Sequence, residues 1–82
     1  MNGVQCKLAR VALGWGVRQL AETANVSTQT ISRLERGEQL RASTLDGVRQ
    51  VFEAAGIEFQ WSEGGDFGIM IKKSHAMISA GV

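Results

Sequence analysis

The sequence predicts a mainly helical domain that closes on a β-hairpin. Three observations carry this. From Val4 to Ala55 the apolar residues recur at three- and four-residue intervals, the period of helices buried on one side. After Gly56 the period drops to two, the signature of half-buried strands. The chain has 82 residues, with 10 glycines and no proline, so its breaks are built on Gly, Asn and Ser. That length is one domain and leaves no room for a doubly wound cofactor fold or a kinase. Residues 1–56 form the helical part, residues 57–73 the hairpin and residues 74–82 a tail.

The first helix is expected over about residues 4–13. Val4, Leu8, Val11 and Ala12 share one face, an apolar stripe of the kind that meets a core, with Lys7 and Arg10 off it. Gly14-Trp15-Gly16 breaks the pattern. A second helix, about 17–24, carries Leu20, Ala21 and Ala24 on one side. Asn25 tolerates the left-handed conformation that ends a helix, and Ser27 is a good N-cap for the next. The third helix, about 28–36, turns Ile31 and Leu34 inward and stops at Gly37. Ser43 or Thr44 can cap a fourth, about 44–55, with Leu45, Val48, Val51, Phe52 and Ala55 inward and Gly56 as its stop.

In the hairpin, Ile57, Phe59 and Trp61 alternate with Glu58 and Gln60, and Phe67, Ile69 and Ile71 alternate with Gly68 and Met70. Ser62–Asp66 has turn composition. A five-residue loop pairs Trp61 with Phe67, Phe59 with Ile69 and Ile57 with Ile71, which puts all six apolar side chains on one face; a one-residue slip would scramble it. Two strands are marginal alone. The apolar face must therefore cover the fourth helix of the same chain or an element of a second subunit.

Net charge is only +1, but the charge is divided. Residues 1–49 hold seven basic side chains against four acidic ones, whereas residues 50–71 hold four acidic and no basic ones. The first half would face a polyanion and the second would not. The single cysteine, Cys6, excludes an intrachain disulfide and fits a reducing compartment. Cys6 and the lone His75 are too few for a metal site. No apolar run reaches the roughly 20 residues of a membrane span, and no signal-peptide pattern opens the chain. Nothing asks for a cofactor, and no Ser/His/Asp set or phosphate-cradling loop suggests an enzyme.

The informative stretch is Arg18–Gly37, RQLAETANVSTQTISRLERG. Two short helices flank a three-residue turn, and Ala21, Val26, Ile31 and Leu34 hold the pair at a steep angle. That is a helix-turn-helix, whose second helix enters the major groove. It leaves Thr28, Gln29, Ser32 and Arg33 outward, side chains suited to base edges: Gln pairs bidentately with adenine and Arg with guanine.

Over about residues 5–55 the chain resembles the lambda-repressor-like, or Xre-type, helix-turn-helix family. The resemblance is carried by Leu20-Ala21, Val26-Ser27, Thr30-Ile31-Ser32-Arg33, Glu35, Arg36-Gly37 and Ser43-Thr44-Leu45. The segment 54–59 with its Gly-rich turn and second strand resembles small members that end in a strand pair. The resemblance implies that Thr28, Gln29 and Arg33 read bases, with Ser32 as a secondary contact. It implies that Ser27, Arg36, Arg41 and Ser43 approach the phosphates. It also implies that Arg10 and Glu35 form an ion bridge between the first and third helices, which makes Arg10 structural. Gly16-Val17 stand where many relatives have Ser-Gln, which leaves that phosphate contact to Arg18. The proline common before the fourth helix is absent.

Blander readings apply elsewhere. Trp15 and Trp61 read as core or interface, Cys6 as a small buried hydrophobe and His75 as a solvated tail residue. Asp66-Phe67-Gly68, Gly64-Gly65-Asp66 and the sequon Asn25-Val26-Ser27 are chance matches to kinase, cyclase and glycosylation motifs. The expectation is a cytoplasmic regulator of bacterial or phage origin. It would bind double-stranded DNA as a homodimeric (auto)repressor, with two third helices entering successive major grooves of a palindromic operator about 34 Å apart. The alternative is a protein-interaction module, such as an antitoxin, that docks a regulatory protein partner through its acidic, apolar hairpin half.

Overall fold

The computed structural model of the chain describes residues 1–72. Lys73, the predicted tail and His75 lie outside the described residues. Four helices precede a two-stranded antiparallel sheet: α1 (Gly3–Ala12), α2 (Val17–Ala24), α3 (Thr28–Glu35), α4 (Ala42–Ala54), β1 (Ile57–Trp61) and β2 (Phe67–Ile71). The fold is mainly helical and ends in a hairpin, in agreement with the sequence pattern.

Each helix end has a physical cause. Asn2 caps α1 in a reciprocal capping box with Gln5, whose amide donates to the Asn2 Oδ1 at 2.8 Å. Asn25 adopts the left-handed conformation at the end of α2 (φ 57°). Ser27 caps α3, its hydroxyl accepting from the Thr30 amide at 3.1 Å. The start of α4 corrects the sequence reading. The helix begins at Ala42 with Arg41 at the cap, and no side chain caps it; Ser43 and Thr44 sit inside its first turn.

The core is Cys6, Ala9, Leu20, Ala21, Ile31, Leu34, Val48, Phe52 and Ile57. Phe52 is its centre. Trp15 stacks on it at 5.9 Å between centroids, and Phe59 meets it edge-on at 5.9 Å. From α4, Val48 and Phe52 are buried, while Leu45, Val51 and, at the helix end, Ala55 are half-buried.

The burial of α1 is a second correction. Its inward face is Gly3, Gln5, Cys6 and Ala9, while Val4, Leu8, Val11 and Ala12 face outward. Val4 is 54%, Leu8 45% and Val11 62% exposed. The reason is distance. α1 lies so close to α3 that only small side chains fit between them. Gln5 is buried but fully used: its Nε2 donates to the carbonyl oxygens of Gln60 (3.1 Å) and Gly68 (3.0 Å), one from each strand. It pins the hairpin to the helices.

The strand register is the one the alternation predicts: Ile57 faces Ile71, Phe59 faces Ile69 and Trp61 faces Phe67. The root of the shared apolar face is covered within the chain. β1 packs on α4 and β2 on α1, burying Ile57 and half-burying Phe59 and Ile69. Trp61 and Phe67 rest on each other at 5.7 Å and stay exposed, as does Ile71.

Candidate nucleic-acid interface

The helix-turn-helix corner is fixed by backbone bonds. Past the end of α2, the Asn25 and Val26 amides donate to the carbonyls of Glu22 (3.2 Å) and Ala21 (2.9 Å). This sharp exit sets the angle at which α3 leaves. Ile31 and Leu34 then lock α3 into the core, so its opposite face is presented as a rigid row. Thr28, Gln29 and Arg33 are exposed on that row and Ser32 is half-exposed. The spacing, 28/29 and 32/33, repeats once per helical turn.

α3 is braced from behind. Arg10 Nε and a terminal nitrogen each donate to Glu35 at 2.9 Å, a two-pronged pair, and the other terminal nitrogen donates to the Trp15 carbonyl at 3.1 Å. Both side chains are mostly buried, at 14% and 11% exposure. The hydrogen bonds to Glu35 hold the Arg10 guanidinium above its usual range. The pair ties the end of α3 to α1. Cys6 Sγ lies 3.5 Å from the same carboxylate. Burial and Glu35 push its thiol up to about 12.

Arg18, Arg33, Arg36 and Arg41 are all exposed. Arg18 pairs with Glu22 at 3.5 Å. Arg33 and Arg36 both pair with Glu38, at 3.0 and 2.9 Å. Hydrogen bonds from Arg36 and Arg33 keep the Glu38 carboxyl below its usual range. Arg41 makes no ion pair among the described residues. It borders a cleft of about 260 Å³ with Thr30, Arg33, Gln39, Leu40 and Thr44, where α3 meets the start of α4. The first turn of α4 has no side-chain cap, which leaves its amides without a partner there, and Ser43 in that turn is exposed. Ser27 is exposed, and its hydroxyl is shared with the Thr30 amide and, at 2.9 Å, the Thr30 hydroxyl.

The structure thus gathers Ser27, Thr28, Gln29, Ser32, Arg33, Arg36, Arg41 and Ser43 around α3 and its flanks, with Arg18 on α2. The hairpin residues Ile57, Phe59 and Ile69 belong to the support. Two contributors escaped the sequence reading. Gln5 is polar in an apolar interior, a position that periodicity does not assign. The signal that could have found Glu38 is Gly37 before it, because a residue just after a helix-ending glycine folds back on the last turn.

This arrangement of a locked second helix with an outward row of hydrogen-bonding side chains defines a helix-turn-helix DNA-binding domain. Residues 7–61 match the family model described as helix-turn-helix, and the chain belongs to this family, of the lambda-repressor/Xre-like type. It is a family of DNA-binding regulators and not of enzymes. No curated protein matches the chain. Among the described residues no helix is long and apolar enough to cross a membrane, and no cluster of His, Cys, Asp or Glu could hold a metal ion.

Proposed function

We propose that the protein is a sequence-specific transcriptional repressor that binds a palindromic operator as a homodimer, with α3 in the major groove. The observation that carries base reading is the outward row Thr28, Gln29, Ser32 and Arg33 on a helix immobilised from behind. Gln29 suits adenine and Arg33 suits guanine. Arg18, Ser27, Arg36, Arg41 and Ser43 flank the row and suit phosphates, which position the protein without specifying sequence. Pairing is supported by apolar surface that the described residues leave uncovered: a groove of about 440 Å³ between α1 and β2, lined by Val4, Leu8, Val11, Ala12 and Ile69 together with Lys7 and Glu35. Two subunits related by a two-fold axis bring two copies of α3 to half-sites about one DNA turn apart.

The test starts from a pool of random duplexes. Selection by the protein, followed by fluorescence anisotropy on the winner against scrambled DNA at near-physiological salt, is expected to give a palindromic consensus. Two subunits per duplex and a large specificity ratio are expected with it. Weak, equal binding to both DNAs would overturn base reading. A selected site with no symmetry, bound by one subunit, would overturn the dimer. Co-purification of a stoichiometric second protein would replace the second copy with a partner.

A further inference from the structure

We propose that Glu38 is a specificity-determining residue: its carboxylate holds Arg33 in base-reading orientation and offsets part of the charge that Arg33 and Arg36 present to phosphates. The proposal rests on the reading that α3 contacts DNA. Its starting point is the end of α3. Gly37 takes a left-handed conformation (φ 93°), its amide donating to the Leu34 carbonyl at 2.9 Å, and the Glu38 amide donates to the Arg33 carbonyl at 3.0 Å. This pair of reversed bonds is a Schellman motif, which returns residue 38 to the last turn of the helix. The position of Glu38 against Arg33 is therefore set by backbone.

The side-chain geometry follows. Arg33 donates its Nε to Glu38 Oε1 at 3.0 Å, and Arg36 donates Nε and a terminal nitrogen to Oε2 at 3.3 and 2.9 Å. One carboxylate thus serves two guanidinium groups. With its Nε edge occupied, Arg33 retains its two terminal nitrogens, the fork that grips guanine O6 and N7. A free arginine at this place would be a mobile cation beside a polyanion, and its cheapest partner would be any phosphate. A carboxylate between Arg33 and Arg36 opposes that in two ways. It neutralises part of their charge, and it repels phosphate itself. The cost is weaker binding to all DNA; the gain is a larger ratio between the right site and the rest.

Glu38→Gln keeps the size of the side chain and removes its charge. The experiment selects a consensus with the wild type, then titrates wild type and E38Q against that site and against scrambled duplex across a salt series. Circular dichroism checks that both remain folded. E38Q is expected to bind scrambled duplex several-fold more tightly, and its salt slope on that duplex should steepen by about one to two as cations are freed. The specificity ratio should fall by roughly tenfold, mostly at one base pair of each half-site. An E38Q protein with the wild-type salt slope and ratio overturns the role of Glu38 alone, and so does one that loses affinity equally on both duplexes. A wild type that selects no consensus overturns base reading and this proposal with it.

Discussion

Gly3 stands against the backbone of Leu34 so closely that a Cβ on Gly3 would lie 2.1 Å from the Leu34 carbonyl oxygen. No real Cβ approaches so near, and a backbone atom of α3 cannot swing aside. Gly3→Ala must push α1 off α3. The expected cost is about 2 kcal/mol, or roughly 10 °C in melting temperature for a domain this small. The gain in helix propensity is at most about 1 kcal/mol, so the clash wins. Gly47 on α4 is the control, since nothing lies within 4 Å of an added Cβ. Gly47→Ala should raise stability by about 0.5–1 kcal/mol. Thermal melts of the two variants moving in the same direction would refute the account of the α1–α3 contact.

The same contact explains what the sequence made legible. Helices α2 and α3, the hairpin register and the row 28, 29, 32 and 33 follow from periodicities and caps that act over a few residues. The inward face of α1 does not. Val4, Leu8 and Val11 form the more apolar stripe, yet the packed stripe is Gly3, Cys6 and Ala9, because close approach of two helices selects for small volume over hydrophobicity. The start of α4 escaped for a related reason. Ser43 and Thr44 look like caps, but the chain arriving from Leu40 is already helical at Ala42. Glu38 was readable as an acid and not as the common partner of two arginines, which depends on how Gly37 turns the chain.

Base readers and phosphate contacts separate in binding experiments. Gln29→Ala and Arg33→Ala are each expected to cost about 1–3 kcal/mol on the selected operator and to relax specificity at one base pair, with little loss on scrambled DNA. Arg41→Ala should weaken all duplexes together and flatten the salt slope by about one, since Arg41 makes no ion pair among the described residues. Anisotropy titrations at several salt concentrations read both quantities. Equal losses on operator and scrambled DNA for Gln29→Ala would remove it from the base-reading set.

The outer stripe of α1 offers a cleaner test of association than the hairpin. Phe59 and Ile69 also support the core, so changing them confounds folding with pairing. Leu8 and Val11 are 45% and 62% exposed, and a charge there burdens the subunit little. Leu8→Asp and Val11→Asp should leave the melting temperature of the isolated subunit close to that of the wild type. They should shift sedimentation from dimer to monomer and weaken operator binding without altering the consensus. Full dimerisation of both variants would place the interface elsewhere, the exposed Trp61–Phe67 pair being the next surface to test.

Cys6 completes the picture from the protected side of the domain. The thiolate is the reactive form, and a thiol held at about 12 by burial and by Glu35 is almost wholly protonated at pH 8. A free cysteine, with a pKa of about 8.5, is about a quarter thiolate there, so alkylation of the folded protein should be slower by roughly a thousandfold or more. Reaction then reports opening of the core. The same shift has a stability consequence. The folded thiol binds its proton more tightly than the unfolded one, so the contribution is fully present below the free thiol's pKa of about 8.5 and is lost as pH rises towards 12. Urea melts of the wild type should weaken across that window, and Cys6→Ala should lack this component of the decline. Rapid alkylation of the native protein at pH 8, well ahead of unfolding, would contradict the burial of Cys6 beside Glu35.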